Sequence, residues 1–232
     1  PMVTAFWPGV HSETIPVIIG RTALPVWESR MLRLLALGDS YTIGEAIPPE
    51  QRWVEQWAGL MQTEGHAIAR PVHVIAQTGW TTDELAQAIA AAEPIGSWDL
   101  ATLMIGVNNQ YRGRDLANFR IEFNGLLDIA MIAVDNRPHR VHVLSIPDWG
   151  QTPFGAACGR DLNQVSAEID AFNKVIAEVC ALHDIALLDV TGLTRRHSAD
   201  ARMHAEDGLH PSADMHRLWA QALLCTGKFG RL

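Results

Sequence analysis

A serine, a histidine and an aspartate stand where they could serve as nucleophile, base and orienting group. Ser40 directly follows an apolar run that stops at Gly38 and Asp39, and His210 follows Asp207 by three residues. At the entrance to a helix, this spacing lets the carboxylate hold one ring nitrogen and leaves the other to take a serine proton. Of the ten histidines, only His210 has an aspartate at this offset. Together they indicate acyl transfer, although Ser40 alone fits a turn and Asp207 alone fits a helix cap.

Two further residues could donate hydrogen bonds to a developing oxyanion. Gly79 lets a substrate approach its backbone N–H closely, because it has no side chain. Asn108 offers an uncharged amide that donates from its side chain. Each of them also fits an ordinary turn, and the residues alone leave that alternative open.

The secondary-structure elements that position these groups can be predicted from the pattern of apolar residues. Short apolar runs alternate along the chain with segments that show helical periodicity. Runs of this kind, stopped by glycine or polar residues, predict strands that are buried on both faces of a parallel sheet. They lie at 32–37, 71–76, 100–105, 141–146 and 185–190. The segments between them predict helices; 147–160 is predicted as a long polar loop and 191–211 as irregular chain.

The alternation predicts an α/β fold, a three-layer α/β/α sandwich of the flavodoxin-like type. Its five-stranded parallel sheet has the expected order 2-1-3-4-5. Ser40, Gly79 and Asn108 follow the first three strands, and Asp207 with His210 follows the fifth. Since the carboxyl ends of parallel strands share one edge, we expect these residues to converge on one crevice.

Composition limits the classes of function. Hydrophobic residues make up 48% of the chain and charged residues 19%, as in a globular protein. The net charge of −8 argues against a nucleic-acid groove or an anionic membrane surface. No apolar run approaches the roughly 20 residues of a membrane span. The chain has three cysteines, an odd number, and no recognisable signal sequence. Both observations suggest a reducing, cytoplasmic setting.

Residues 1–30 differ from the rest of the chain and are interpreted as an N-terminal extension, either a tail or an artificial remnant. Met31 immediately precedes the first strand and could be the natural start. Residues 31–232 are expected to form a single domain. The oligomeric state is not predicted by the sequence.

Four sequence blocks, in order, resemble those of the GDSL/SGNH hydrolases, and the resemblance runs from about 32 to 224. The blocks are Gly38-Asp39-Ser40-Tyr41, then Gly79, then Gly106-Val107-Asn108-Asn109, and finally Asp207-Gly208-Leu209-His210-Pro211. The resemblance implies serine esterase or lipase-type chemistry without a cofactor or metal. It makes Ser40 the nucleophile, His210 the base and Asp207 its orienter. It assigns the oxyanion hole to the N–H groups of Ser40 and Gly79 and the side chain of Asn108. The family commonly has aspartate where Asn109 stands, which is outside the functional groups of these blocks.

The substrate is predicted to be a small ester with a short acyl chain. Trp149 and Phe154, in the segment 147–160, are candidates for a pocket wall, as is Trp80. Two aromatic residues on a polar loop can form a small apolar patch but not a broad lipase surface. Stacking of Trp149 and Trp80 on a sugar would instead favour a carbohydrate O-deacetylase, and a thioesterase would use the same site.

Three other classes of protein compete with this prediction. A flavin- or nucleotide-binding module would cradle phosphate with Ser40, Thr42 and Gly44, but Glu45 next to them opposes an anion. A metal hydrolase would need His204, Asp207 and His210, whose spacing lacks the HExxH pattern. An inactive binding protein on the same fold stays open, because fold does not determine function.

Overall fold

A five-stranded parallel sheet forms the centre of the computed structural model, which describes residues 30–92 and 95–226. The strands are β1 (Leu34–Gly38), β2 (His73–Ala76), β3 (Leu100–Met104), β4 (Val141–Leu144) and β5 (Ala186–Leu188). They are ordered β2-β1-β3-β4-β5, and each neighbouring pair is parallel. The predicted fold class and strand order are confirmed.

Helices cover both faces of the sheet. They are α1 (Ser40–Ile43), α2 (Trp53–Thr63), α3 (Thr82–Ala91), α4 (Val107–Tyr111), α5 (Leu116–Ala133), α6 (Pro153–Ala157), α7 (Leu162–Leu182), α8 (Val190–His197) and α9 (Ala213–Thr226). On one face α2 packs against α9, and on the other α5 packs against α7 and β3. The central strands β1, β3 and β4 are buried at every residue, which explains their continuous apolar runs.

The start of α3 is stabilised by residues that are close together in the sequence. Thr81 is its N-cap, and the Glu84 carboxylate accepts a hydrogen bond from the Thr81 N–H at 2.8 Å, as a capping box requires. The helix thereby begins a few residues after Gly79, and its start supports one side of the candidate crevice.

Two segments that were predicted to be irregular contain helices. Residues 191–211 include most of α8, whose N-cap Asp189 accepts a hydrogen bond from the Gly192 N–H at 2.8 Å. This short helix carries only a few apolar residues, so helical periodicity was too weak to reveal it. The predicted loop 147–160 contains a 3₁₀ turn at Trp149–Gln151 followed by α6. Caps from Asp148 and Thr152 order it locally.

The expected N-terminal extension falls almost entirely on residues 1–29, which lie outside the described residues. Within the described ranges, no helix combines the length and the apolar character that crossing a membrane requires.

Candidate active site

Ser40 lies at a sharp strand-to-helix turn at the carboxyl end of β1. A side chain at Gly38 would overlap the Met104 carbonyl oxygen and the Thr42 side chain, so only glycine fits there. Asp39 then caps α1 by accepting a hydrogen bond from the Tyr41 N–H at 3.1 Å. Ser40 is the first residue of α1, where a backbone N–H has no acceptor within the helix. The turn therefore presents both the hydroxyl and the N–H of Ser40 at the edge of the sheet.

His210 is held by Asp207 in one orientation. Its Nδ1 lies 2.6 Å from Oδ2 of Asp207, and Oδ1 accepts the N–H groups of Leu209 and His210 at 2.9 Å each. Burial alone would raise the pKa of Asp207, but these hydrogen bonds, led by that of the imidazole, outweigh it and lower the pKa. Since an ionised carboxylate only accepts, Nδ1 carries the proton and Nε2 is left as an acceptor.

Three titratable side chains lie near Ser40 or His210. The Tyr41 ring lies 5.7 Å from the imidazole, edge to face, and burial, followed by the charge of Asp39, raises the pKa of its phenol. His216 is fully buried and its Nδ1 accepts the Trp53 N–H at 3.0 Å. Burial, followed by the charge of His210, lowers the pKa of His216 to about 3. Burial also raises the pKa of Asp39 to about 7. Asp39 is therefore the neighbour whose titration falls near neutral pH.

The Gly79 peptide is fixed in a conformation that favours glycine. Its φ is +86°, and its carbonyl oxygen accepts a hydrogen bond from Nη2 of Arg112 at 2.6 Å. Arg112 also pairs with Glu84 near the start of α3, at 3.3 Å. Arg112 thereby links the segment after β2 to the segment after β3.

Asn108 occupies the second position of α4, which begins at a crowded glycine. Gly106 has a φ of +126°, and a Cβ there would lie 2.8 Å from the Phe119 ring. Nδ2 of Asn108 donates to the Trp80 carbonyl oxygen at 2.9 Å. This bond uses one of its two amide hydrogens and leaves the second available as a donor.

These groups line one cavity of about 240 Å³ at the carboxyl edge of the sheet. The lining residues are Ser40, Tyr41, Thr78, Gly79, Val107, Asn108, Tyr111, Trp149, Phe154, Leu209 and His210. Ser40, Gly79, Asn108 and His210, predicted from four separate connections, are thus brought together. Asp207 reaches the cavity only through its hydrogen bond to His210.

The predicted wall residues divide between the cavity and the core. Trp149, 2% exposed, and Phe154, half-buried, line the cavity with their ring centroids 6.1 Å apart. The Phe154 N–H donates to the Gly208 carbonyl at 2.9 Å, which ties α6 to the segment that carries His210. Trp80 is not among the lining residues, and its ring packs against the hydrophobic core instead.

Tyr111 is a wall residue that the sequence analysis missed. It follows Asn108 by three residues in α4, a spacing that places two helical side chains on the same side. Its ring lies 5.4 Å from that of Trp149, edge to face, and it is 52% exposed. The spacing in α4 was the available signal, but five apolar and polar residues are too few to establish a helix.

Asn109 lies outside the cavity and is completely buried. Its Oδ1 accepts the Thr82 N–H at 3.1 Å, and its Nδ2 donates to the Thr82 hydroxyl at 2.6 Å. The amide thus supplies a donor and an acceptor at once, and it joins α4 to the start of α3. An aspartate at this position would provide only acceptors when ionised.

The residues that a metal site or a phosphate-binding site would need make hydrogen bonds within the protein. Nε2 of His204 lies 2.8 Å from the Ser198 carbonyl oxygen, whereas Asp207 holds His210. No group of three or more acidic, histidine or cysteine side chains suited to a metal ion occurs among the described residues. At the proposed phosphate cradle, the Glu45 carboxylate accepts a hydrogen bond from Thr78 and places negative charge where an anion would bind.

We compared the chain with known protein families and solved structures. The model of the GDSL-like Lipase/Acylhydrolase family matches residues 36–218. The chain is similar in structure to TesA, with a TM-score of 0.67 and 21% identity over 84% of this chain and 98% of that one. It is also similar to the lipase/acylhydrolase from Enterococcus faecalis (TM-score 0.64, 20% identity, 84% and 95% covered). A third similar structure is the psychrotrophic esterase EstA from Pseudoalteromonas sp., inhibited by monoethylphosphonate (TM-score 0.64, 15% identity, 84% and 95% covered). A search of curated protein sequences finds no match.

Proposed function

The chain belongs to the GDSL-like lipase/acylhydrolase family and is a carboxylic ester hydrolase, and we propose that it cleaves short-chain esters through an acyl-enzyme on Ser40. The observation that carries this proposal is the single cavity lined by Ser40, Gly79, Asn108 and His210. The oriented imidazole of His210 supports a serine mechanism, because its free Nε2 is the atom that would accept a proton.

In the first half of the proposed reaction, Oγ of Ser40 attacks the ester carbonyl carbon while its proton passes to Nε2 of His210. The carbonyl oxygen becomes an oxyanion that accepts hydrogen bonds from the N–H groups of Ser40 and Gly79 and from Nδ2 of Asn108. Collapse of this intermediate breaks the bond to the alcohol oxygen, which leaves with the proton of His210. The acyl group remains bound to Ser40.

In the second half, water replaces the alcohol. His210 takes a proton from the water as its oxygen attacks the acyl carbon, and the same donors stabilise the second oxyanion. The bond to Ser40 then breaks, His210 returns the proton to Oγ, and the carboxylic acid is released. Asp207 keeps the ring in the required tautomer and stabilises the imidazolium throughout.

The size of the cavity favours a short acyl chain. Its volume of about 240 Å³ has to hold the reacting ester group as well as the acyl chain. Of the six large apolar side chains that are exposed among the described residues, Tyr111 is the one that also lines the cavity. A broad apolar surface for adsorption to lipid is therefore not supported there. The burial of Trp149 and the packing of Trp80 against the core do not support stacking on a sugar.

We expect kcat/KM to be highest for p-nitrophenyl acetate or butyrate and to fall steeply at octanoate and palmitate. An acyl thioester and an acetylated oligosaccharide, measured in the same series, test the alternative thioesterase and deacetylase activities. Highest kcat/KM on palmitate would contradict the short-chain proposal, and highest kcat/KM on the oligosaccharide would favour a deacetylase. The Ser40→Ala protein measures the background hydrolysis for each compound.

We expect kcat/KM to fall as the pH is lowered through the range in which histidine takes up a proton, because only neutral imidazole accepts from Ser40. Asp207, whose pKa is lowered, remains ionised there and does not contribute. His216, whose pKa is about 3, remains neutral. A pH profile of p-nitrophenyl acetate hydrolysis between about 5 and 8, around the usual histidine value, tests this expectation.

Asp39 is the group that could imitate this profile, since burial raises its pKa to about 7. The profile is therefore repeated with Asp39→Asn, which keeps an acceptor for the Tyr41 N–H but removes the titration. An acid limb that persists in this variant belongs to His210. A profile that becomes flat would assign the limb to Asp39 and contradict a histidine base.

A further inference from the structure

The inner wall of the cavity is a tryptophan whose indole N–H is hydrogen-bonded. Trp149 is 2% exposed, and its ring is near those of Tyr111 and Phe154, with centroids 5.4 Å and 6.1 Å away. Its Nε1 donates to Oε1 of Gln110 at 2.8 Å. Gln110 is itself buried and lies in α4, two residues after Asn108. The orientation of this wall therefore depends on a side chain that does not line the cavity.

Gln110 is in turn held by a carboxylate of α7. Its Nε2 donates to Oε2 of Glu168 at 2.6 Å, and Arg160 and Gln164 donate to the same carboxylate at 3.0 Å and 2.8 Å. Burial opposes ionisation of Glu168, but these three partners together lower its pKa. Because an ionised carboxylate only accepts, the NH₂ group of Gln110 must face Glu168 and its oxygen must face Trp149. The direction of the chain of hydrogen bonds from Trp149 to Glu168 is thus determined.

Arg160 closes the same wall from outside. Its guanidinium carbon lies 5.4 Å from the centroid of the Trp149 ring and 6.0 Å from that of Tyr111. Its ion pair with Glu168 keeps it over these rings. The indole is therefore confined by its hydrogen bond on one side and by a cation on another, so it cannot turn to enlarge the cavity without breaking these contacts.

We propose that Trp149 sets the upper limit on acyl chain length, and that Gln110 and Glu168 are positioning residues that hold its ring across the cavity. The proposal rests on the proposed esterase function and adds to it the residues that select among acyl groups. One methylene in an apolar pocket changes discrimination by roughly 10–200-fold, so a small displacement of this ring has a measurable effect.

The test is the ratio of kcat/KM for p-nitrophenyl octanoate to that for the butyrate. This ratio does not depend on the fraction of protein that is folded, so it remains informative if a variant is less stable. We expect Trp149→Ala to raise the ratio by about tenfold or more. Gln110→Met, which keeps the length of the side chain but removes both hydrogen bonds, is expected to raise it several-fold.

Two further variants separate positioning from general packing. Glu168→Ala should raise the ratio, whereas Glu168→Gln keeps an oxygen that accepts from Gln110 and should restore much of the preference. Gln164→Met is the matched control, because it removes a hydrogen bond from Glu168 on the exposed side and leaves Gln110 and Trp149 paired. Its ratio should equal that of the unmodified protein.

An unchanged ratio in Trp149→Ala would overturn the inference. Ser40-dependent hydrolysis of butyrate by the unmodified protein would still leave the esterase function standing. A raised ratio in Trp149→Ala with unchanged ratios in Gln110→Met and Glu168→Ala would overturn the positioning role. If no ester is hydrolysed in a Ser40-dependent manner, the proposed function fails and the inference fails with it.

Discussion

Replacing Ser40 by alanine is expected to remove nearly all ester hydrolysis. Loss of the nucleophile leaves only substrate binding and the oxyanion donors, so kcat should fall by roughly 10⁵–10⁶-fold. A fluorophosphonate should react once per chain in the unmodified protein, at Ser40, and stop hydrolysis. Intact mass before and after labelling gives the number of labels per chain, and peptide mapping gives their position. An assay of the labelled protein measures the remaining hydrolysis.

Ser145 offers a matched control within the same sheet. It too directly follows a strand, β4, and is buried, but its hydroxyl is hydrogen-bonded to that of Thr191 at 2.7 Å. Ser145→Ala should retain labelling and hydrolysis, whereas Ser40→Ala should lose both. Labelling at another residue, or full activity in Ser40→Ala, would refute the acyl-enzyme on Ser40.

Asn108→Ala is expected to lower kcat by about 10²–10³-fold, or roughly 3–4 kcal/mol, with little change in KM. An oxyanion donor acts on charge that develops only in the transition state, so its removal spares the ground-state complex. Steady-state kinetics on p-nitrophenyl butyrate provides both constants. A variant with normal kcat and raised KM would make Asn108 a substrate-binding residue instead.

The neighbouring Asn109 provides a control that separates catalysis from stability. Its amide makes two buried hydrogen bonds to Thr82 and does not line the cavity. Asn109→Ala should therefore lower the free energy of unfolding by about 1–3 kcal/mol, the cost of unpaired buried groups. Its kcat per folded molecule should fall far less than that of Asn108→Ala, because Asn109 anchors α4 without donating to the oxyanion. The two adjacent asparagines are thus expected to affect different measurements.

Much of the fold could be predicted because its signals are local. Strands such as β1 and β3 are apolar at nearly every position, since both of their faces are covered. Their alternation with helices predicts a parallel sheet, and 2-1-3-4-5 is one of the two common strand orders of such sheets. The hydrogen bond between Asp207 and His210 spans three residues, so spacing alone was sufficient to suggest it. The convergence of Ser40, Gly79 and Asn108 followed from their places after consecutive strands.

The remainder depends on contacts between distant parts of the chain. Gln110 and Glu168 are 58 residues apart, and neither carries a pattern that would suggest a hydrogen bond between them. Trp80 was predicted as a wall residue, but its ring packs on the core, since residue type does not determine the direction of a side chain in a loop. The polar composition of α8 concealed a helix that caps and tertiary packing stabilise.

The shortness of α4 limits how the enzyme can be redesigned. Five residues carry Asn108 and Tyr111 toward the substrate and Gln110 toward the wall behind it. A mutation that resizes the wall through Gln110 therefore shifts the same backbone that aims the Asn108 amide, so gains in substrate range through this helix are expected to cost turnover. Phe154 lies on α6, apart from the helix that carries Asn108. Directed evolution toward bulkier substrates should accordingly accumulate changes around Phe154 first.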